Sequence, residues 1–149
     1  MQSASSRIGS YLGHDVCCVG VDRVAGLQDL FMEQSLVLFH SGNVELAKKK
    51  QVELVDQLVR GRPLGVFFTG ADAEVLFDRL LQALDRLDDP IPLMTNFSNS
   101  GLHDVVGEFL SSTWPAEECW SYWQAYLLIG FRNTLCQLKK VARDFVEES

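Results

Sequence analysis

Several features that would narrow the function are missing from this sequence. No apolar run approaches the roughly 20 residues needed to span a bilayer, and the first such run, residues 16–21, is too short for a signal-peptide core. Arg7 is the only lysine or arginine before that run, and no small-residue cleavage site follows the run. We therefore expect a cytoplasmic protein that is neither secreted nor inserted in a membrane.

Cysteines are few and do not form a metal-binding pattern. The four of them, Cys17, Cys18, Cys119 and Cys136, include no CxxC pair and no histidine at zinc-finger spacing. Adjacent residues on a strand point to opposite faces, so Cys17 and Cys18 are not expected to bridge each other. Reduced thiols agree with the cytosol, and we predict neither a metal site nor a cofactor.

Basic residues are also scarce. The chain has 13 basic and 20 acidic residues, for a net charge of −7, and the acidic excess lies between Asp72 and Glu118. A phosphate backbone requires a basic footprint, and the one basic cluster, Lys48 to Lys50, lies in a helical stretch that also contains acids. We predict no binding to nucleic acid.

The residues that are present alternate between strand and helix patterns. Short apolar runs predict strands at 16–21, 36–40, 64–69, 92–96 and 125–129. Helical spacing predicts helices at 26–34, at 44–60 after an Asn43 cap, and at 72–87. It predicts a fourth helix from about 98–100 to before Pro115, and a closing helix capped by Asn133.

This alternation predicts a single-domain α/β fold over residues 1–149, with a mostly parallel open sheet of about five strands. Helices should cover both faces, in doubly wound, flavodoxin-like or Rossmann-like layering. Residues 1–10 are small and polar, which is typical of a disordered tail.

The stretch 63–84 has the layout of a phosphate-binding strand, loop and helix, but not its chemistry. A phosphate cradle needs repeated glycines, and the loop after the strand has Gly70 alone. Asp72 and Glu74 would occupy the positive end of the following helix dipole, with Thr69 or Asp72 as its N-cap. We predict a capped helix rather than a phosphate site.

Catalytic candidates are weak. His40 and His103 fall at predicted strand ends or helix starts on one sheet edge, where they could converge with Asp72 in a metal or acid–base site. Such polar residues are also common turn formers and caps. Ser41 lies beside His40, but Ser-Gly-Asn at this point favours a helix start over a nucleophile.

Aromatic residues concentrate in residues 114–126, which contain all three tryptophans. Two interpretations stay open: the aromatics close one end of the core, or they recognise a partner, since Trp and Tyr are enriched at interface hot spots. The candidate partner-binding residues are Trp114, Glu117, Glu118, Trp120, Tyr122 and Trp123.

These observations favour a small acidic, non-enzymatic binding protein. Its acidic and aromatic surface would engage a basic protein partner, as in an inhibitor, an immunity protein or an antitoxin. Two alternatives remain: a small enzyme with a strand-end site around His40 and His103, and a homodimer or larger homo-oligomer that buries the aromatic surface against a second copy.

Overall fold

The computed structural model describes residues 6–11, 14–20, 35–42, 46–61, 65–88, 93–97, 101–111, 125–130 and 132–146. The strands are β1 (Ser6–Tyr11), β2 (His14–Gly20), β3 (Ser35–His40), β4 (Gly65–Thr69), β5 (Leu93–Phe97) and β6 (Ala125–Gly130). The helices are α1 (Lys48–Gly61), α2 (Ala73–Arg86), α3 (Leu102–Ser111) and α4 (Arg132–Arg143).

The strands form one sheet in the order β1-β2-β6-β3-β4-β5. Within it β1 pairs antiparallel with β2, and the other neighbours pair in parallel. The predicted α/β class and mostly parallel sheet are therefore confirmed. The order of the parallel strands, with β6 between β2 and β3, is not the 2-1-3-4-5 order of flavodoxin-like sheets.

The sixth strand, β1, comes from the N-terminal stretch for which a disordered tail was expected. Ile8 and Tyr11 pack against the core, and Arg7 Nε lies 2.7 Å from Asp15 Oδ1 on β2. Serine and glycine give this stretch little strand propensity of its own. Its structure therefore depends on pairing with β2, which the local pattern does not reveal.

Both faces of the sheet are covered because side chains alternate along each strand. Val37 and Phe39 belong to one core, which contains α1 and α2. Leu36 and Leu38 belong to the other, which contains α3 and α4. On β2, Cys17 packs against the first core and Cys18 lies in the second, so the prediction that adjacent cysteines point apart is confirmed.

Most predicted elements match to within a few residues. The main difference is α1, which begins at Lys48 rather than at residue 44. Its buried face consists of Gln51, Leu54, Val55 and Leu58, and Val52 is 50% exposed. The predicted helix at 26–34 lies outside the described residues.

Candidate functional site

The carboxyl ends of β3 and β6 form the topological switch point of the sheet. These strands are neighbours, with His40 in register with Gly130. The chain leaves β3 towards α1 on one face and leaves β6 towards α4 on the other. Ligands of open α/β sheets bind in the crevice that such a divergence creates, so this edge is the candidate site.

A cluster of buried polar side chains lies at this edge. Its members follow a strand, end one, or lie at or near the start of a helix. Within the part of the chain that the structure describes, they are all the buried polar or charged residues: Ser41, Gln51, Thr69, Asp72 and Thr134. Burying a polar group is unfavourable unless it is hydrogen-bonded. We call these five residues the strand-end cluster.

Asp72 organises the start of the neighbouring helix α1. Its side chain is fully buried, and Oδ2 accepts a hydrogen bond from the Leu46 N–H at 2.6 Å. Oδ1 accepts one from Gln51 Nε2 at 3.3 Å. Asp72 stands at the predicted N-cap position of α2 but makes no side-chain cap bond to that helix. Of the two predicted caps, Thr69 and Asp72, Asp72 holds the N-cap position, but its side chain bonds to Leu46 and Gln51 and not to α2.

The loop after β3 uses the free N–H groups in front of α2. The Ser41 hydroxyl accepts a hydrogen bond from the Asp72 N–H at 2.9 Å and donates one to the Thr69 carbonyl at 3.4 Å. The Gly42 carbonyl accepts one from the Ala71 N–H at 2.8 Å. These are N–H groups that a phosphate would need, and the protein itself already bonds to them.

Three glycines allow the loops to pack closely around the crevice. Gly70 has φ +99°, and a Cβ there would lie 2.6 Å from Ser41 Oγ. Gly42 has φ +81°, and its Cβ would lie 2.8 Å from Thr134 Cγ2. A Cβ on Gly130 would lie 2.9 Å from Thr134 Oγ1. Thr134, in the first turn of α4, therefore fills the space between β3 and β6.

His40 is the last residue of β3 and lies beside Gly130 of β6. Its Nδ1 atom is buried and makes no hydrogen bond within the described residues. Burial lowers the pKa of the imidazole below its ordinary value of 6.5, while the neighbouring Thr69 backbone acts in the opposite direction. The ring is therefore neutral at physiological pH, when it can accept a proton.

The other predicted catalytic residues have separate surroundings. His103 is exposed on α3, with Nε2 3.5 Å from Asp144 Oδ2 and its ring 4.7 Å from that of Phe145. No contact in the described structure joins His40, His103 and Asp72. Nor do the described residues contain three His, Cys, Asp or Glu side chains placed to hold a metal ion.

The predicted partner-binding residues Trp114, Glu117, Glu118, Trp120, Tyr122 and Trp123 lie outside the described residues. At the end of this stretch Tyr126 is fully buried. Its hydroxyl donates to the Leu110 carbonyl at 3.5 Å, and its ring packs edge-on against Phe109. Tyr126 therefore belongs to the core, whatever the role of the residues before it.

Two members of the strand-end cluster, Gln51 and Thr134, were not among the predicted site residues. The available signal was position: Thr134 comes four residues after a strand-ending glycine. A small polar side chain there lies in the first turn of the helix closest to the switch point.

No family model matches the chain. No curated protein matches it significantly either.

Among the described residues, no helix has both the length and the apolar character needed to cross a membrane.

Proposed function

We propose that this chain is a small cytosolic, non-enzymatic binding protein that engages a basic protein partner, in the manner of an inhibitor, an immunity protein or an antitoxin. The binding surface combines two exposed acids of α3, Asp104 and Glu108, with the acidic aromatic segment that follows the helix. In that segment the candidates are Trp114, Glu117, Glu118, Trp120, Tyr122 and Trp123.

The observation that carries the proposal is the arrangement of the two α3 acids. Asp104 and Glu108 are exposed and lie one helical turn apart on the side opposite Val106 and Leu110, which are buried. Neither acid pairs with a cation among the residues that the structure describes. Asp104 lies in the first turn, where it complements the helix dipole. Glu108 is a like charge one turn further on, and such a pair destabilises a helix by about 0.2–0.5 kcal/mol, so Glu108 does not serve the helix.

The segment after α3 would extend this charged surface. It begins directly after Ser111, which is exposed, and adds two more acids among its aromatics. Acidic side chains speed encounter with a basic partner, and Trp and Tyr supply the buried anchors of interfaces. In this proposal the doubly wound layering acts as a rigid support for the surface.

The strand-end cluster supports a non-enzymatic role. Its hydroxyl, amide and carboxylate groups bond to each other and to the backbone. Because these groups already hydrogen-bond within the protein, they stabilise the loops after β3, before α1 and before α2, and leave few free donors for a substrate. The buried side chains of Ser41, Gln51 and Asp72 are therefore explained by the fold.

Affinity capture with matched charge variants tests the proposal. The immobilised wild type is compared with a double variant of the α3 acids, Asp104→Lys with Glu108→Lys. The control, Glu74→Lys with Asp78→Lys, makes the same change in charge at the same spacing on α2, across the sheet. Bound proteins are identified by mass spectrometry at low and high salt.

We expect one basic protein to be retained by the wild type and the α2 variant, and lost from the α3 variant and at high salt. Replacing Trp120 and Trp123 with alanine should abolish its retention at all salt concentrations. If the α3 variant retains the same proteins as the wild type, the proposal is wrong.

His40 favours a second candidate function, a small enzyme acting at the strand ends. Its buried, unbonded Nδ1 atom and lowered pKa are features of general bases. A screen of pooled metabolites by mass spectrometry would compare turnover by the wild type and by His40→Gln. Turnover that only the wild type shows would favour the enzyme.

A further inference from the structure

We propose that the partner-binding surface of α3 continues onto the neighbouring helix α4, and that the basic protein bound there presents an acidic patch beside its basic one. This patch belongs to the partner proposed above and so rests on the proposed function. Three features carry it: the packing of α4 against α3, the charges that the two helices expose, and the size of a stable interface.

Helices α3 and α4 pack against each other on one face of the sheet. They are in contact, and both contribute buried residues to the same core. A Cβ on Gly107 of α3 would lie 3.0 Å from the ring of Phe145, which follows α4. Packed helices have axes about 8–10 Å apart, so a partner that covers α3 meets α4 within one helix diameter.

The exposed charges of the two helices have opposite signs. Helix α3 contains no lysine or arginine, and its acids Asp104 and Glu108 are exposed. Helix α4 contains lysines and arginines but no acid. Its Lys140 is exposed and lies about 200° around the helix from Leu138 and from Ala142, which are buried. Lys140 therefore points away from the core, as the α3 acids do.

Arg143 brings the basic surface to the edge of α3. It is exposed and lies one turn after Lys140. The next residue, Asp144, approaches His103, with Oδ2 3.5 Å from Nε2, and His103 directly precedes Asp104. Arg143 and Asp104 therefore lie on either side of this contact. Neither Lys140 nor Arg143 pairs with an acid among the residues that the structure describes. We call these two the α4 bases.

The helix dipole accounts for the presence of the α4 bases but does not cover them. Both lie in the last turn of α4, where cations are favourable. An interaction with the dipole acts through the charge and leaves the side chain in solvent. The α4 bases are therefore available to a partner that reaches them.

The size of a stable interface extends it from α3 onto α4. A helix of 10 residues is about 15 Å long and about 10 Å wide, which gives a footprint of about 150 Å². A stable interface buries about 800 Å² per partner, which corresponds to a patch about 30 Å across. Centred on the α3 acids, such a patch extends about 15 Å to each side and includes the α4 bases.

The α4 bases then decide which basic proteins bind. A partner whose facing surface is basic throughout is attracted by the α3 acids and repelled by the α4 bases. A partner with an acidic patch about 10 Å from its basic patch is attracted by both. Paired charges of opposite sign fix the register of an interface and disfavour wrong partners.

Charge variants of α4 in the capture experiment test the acidic patch. The first is Lys140→Glu with Arg143→Glu. A milder variant, Lys140→Gln with Arg143→Gln, removes the cations without placing acids at the end of a helix. The control, Lys48→Glu with Lys49→Glu, makes the same change in charge as the first at exposed residues of α1, on the other face of the sheet.

Circular dichroism checks that each variant is folded, and the basic protein retained by the wild type is then titrated against each variant at low salt. We expect the α4 glutamate variant to bind it about tenfold more weakly than the wild type, because attraction becomes repulsion at two contacts. The glutamine variant should lose about threefold. The α1 control should bind as tightly as the wild type or slightly more tightly, since a more acidic protein attracts a basic one.

Two outcomes would overturn the acidic patch alone. An α4 glutamate variant that binds as tightly as the α1 control shows that the α4 bases lie outside the interface. One that binds more tightly than the control shows that the partner is basic throughout. Failure of the proposed function looks different, because the wild type then retains no basic protein or the α3 variant retains the same one. In that case the acidic patch is wrong as well.

Discussion

The carboxylate of Asp72 accepts a hydrogen bond from the Leu46 backbone N–H at 2.6 Å, although the two residues are 26 positions apart. One fully buried acid thus holds the start of α1 against the start of α2. Its second oxygen accepts from Gln51 Nε2, which also donates to the Leu46 carbonyl at 3.3 Å. Two donors, the Leu46 N–H and the Gln51 amide, therefore depend on the side chain of Asp72.

Replacing Asp72 should therefore destabilise the fold strongly. In Asp72→Ala the Leu46 N–H and the Gln51 amide lose their acceptor while buried, and we expect a loss of about 2–4 kcal/mol in the free energy of unfolding. Asp72→Asn keeps one acceptor and should lose about half as much. Urea unfolding measures both. Asp56→Asn, at an exposed acid of α1, should stay within about 0.5 kcal/mol of wild type.

Gly70 is required for the close packing of the loops. Gly70→Ala places a Cβ 2.6 Å from Ser41 Oγ and 2.8 Å from the Gly42 backbone nitrogen, at φ +99°. We expect about 2–4 kcal/mol of destabilisation from the clash and the unfavourable φ together. Gly101→Ala is the matched control, since nothing lies within 4 Å of its Cβ. Equal melting temperatures for the two variants would contradict this account.

The cysteines should differ sharply in reactivity. Cys18 is fully buried, and desolvation by burial raises the pKa of its thiol to about 12, so almost no thiolate forms near neutral pH. Cys136 is exposed. With Cys17 and Cys119 changed to serine, a disulfide reagent should label Cys136 at once and Cys18 only on unfolding. Rapid labelling of Cys18 in the folded protein would show that β2 opens.

His40 should make the protein less stable in acid. Burial lowers the pKa of its imidazole in the folded state below the ordinary value of 6.5. The unfolded chain therefore takes up the proton first as the pH falls. This contribution to stability is complete well above the unfolded pKa and is lost as the pH drops from that value towards the folded pKa.

His40→Gln should remove this loss, because glutamine does not titrate. Urea midpoints measured from about pH 8 to pH 5 should fall less steeply for His40→Gln than for wild type. His103→Gln serves as the control for replacing a histidine, since that side chain is 59% exposed. Parallel pH profiles for the wild type and His40→Gln would rule out a role for His40 burial.

Local patterns predicted much of the fold because the core elements are strongly periodic. The run before Gly20, for example, is β-branched and apolar, and β2 indeed lies inside the sheet. The spacing of Val105, Val106, Phe109 and Leu110 predicted the buried face of α3, which contains these four residues. Burial of apolar side chains decides both features, and the spacing of apolar residues in the sequence shows which of them are buried.

Local sequence patterns predicted less of the candidate site than of the fold. Asp72 looked like a cap for its own helix, because capping is a local interaction between residues close in sequence. Its carboxylate instead accepts a hydrogen bond from Leu46, 26 positions earlier in the chain. No residue pattern within α2 predicts a contact between residues so far apart in sequence. Likewise, Ser41 looked like a helix start, whereas its hydroxyl contacts the backbone of Thr69 and Asp72.

The sequence by itself determined the α/β class, the positions of most strands and helices, and the charge of the surface, because these depend on periodicity and composition. Only the tertiary structure decided that β6 lies between β2 and β3, that residues 6–11 form a strand, and that the buried polar residues meet at one edge. These features depend on contacts between distant parts of the chain. Strand order and loop packing fix such contacts, and local propensity does not encode them.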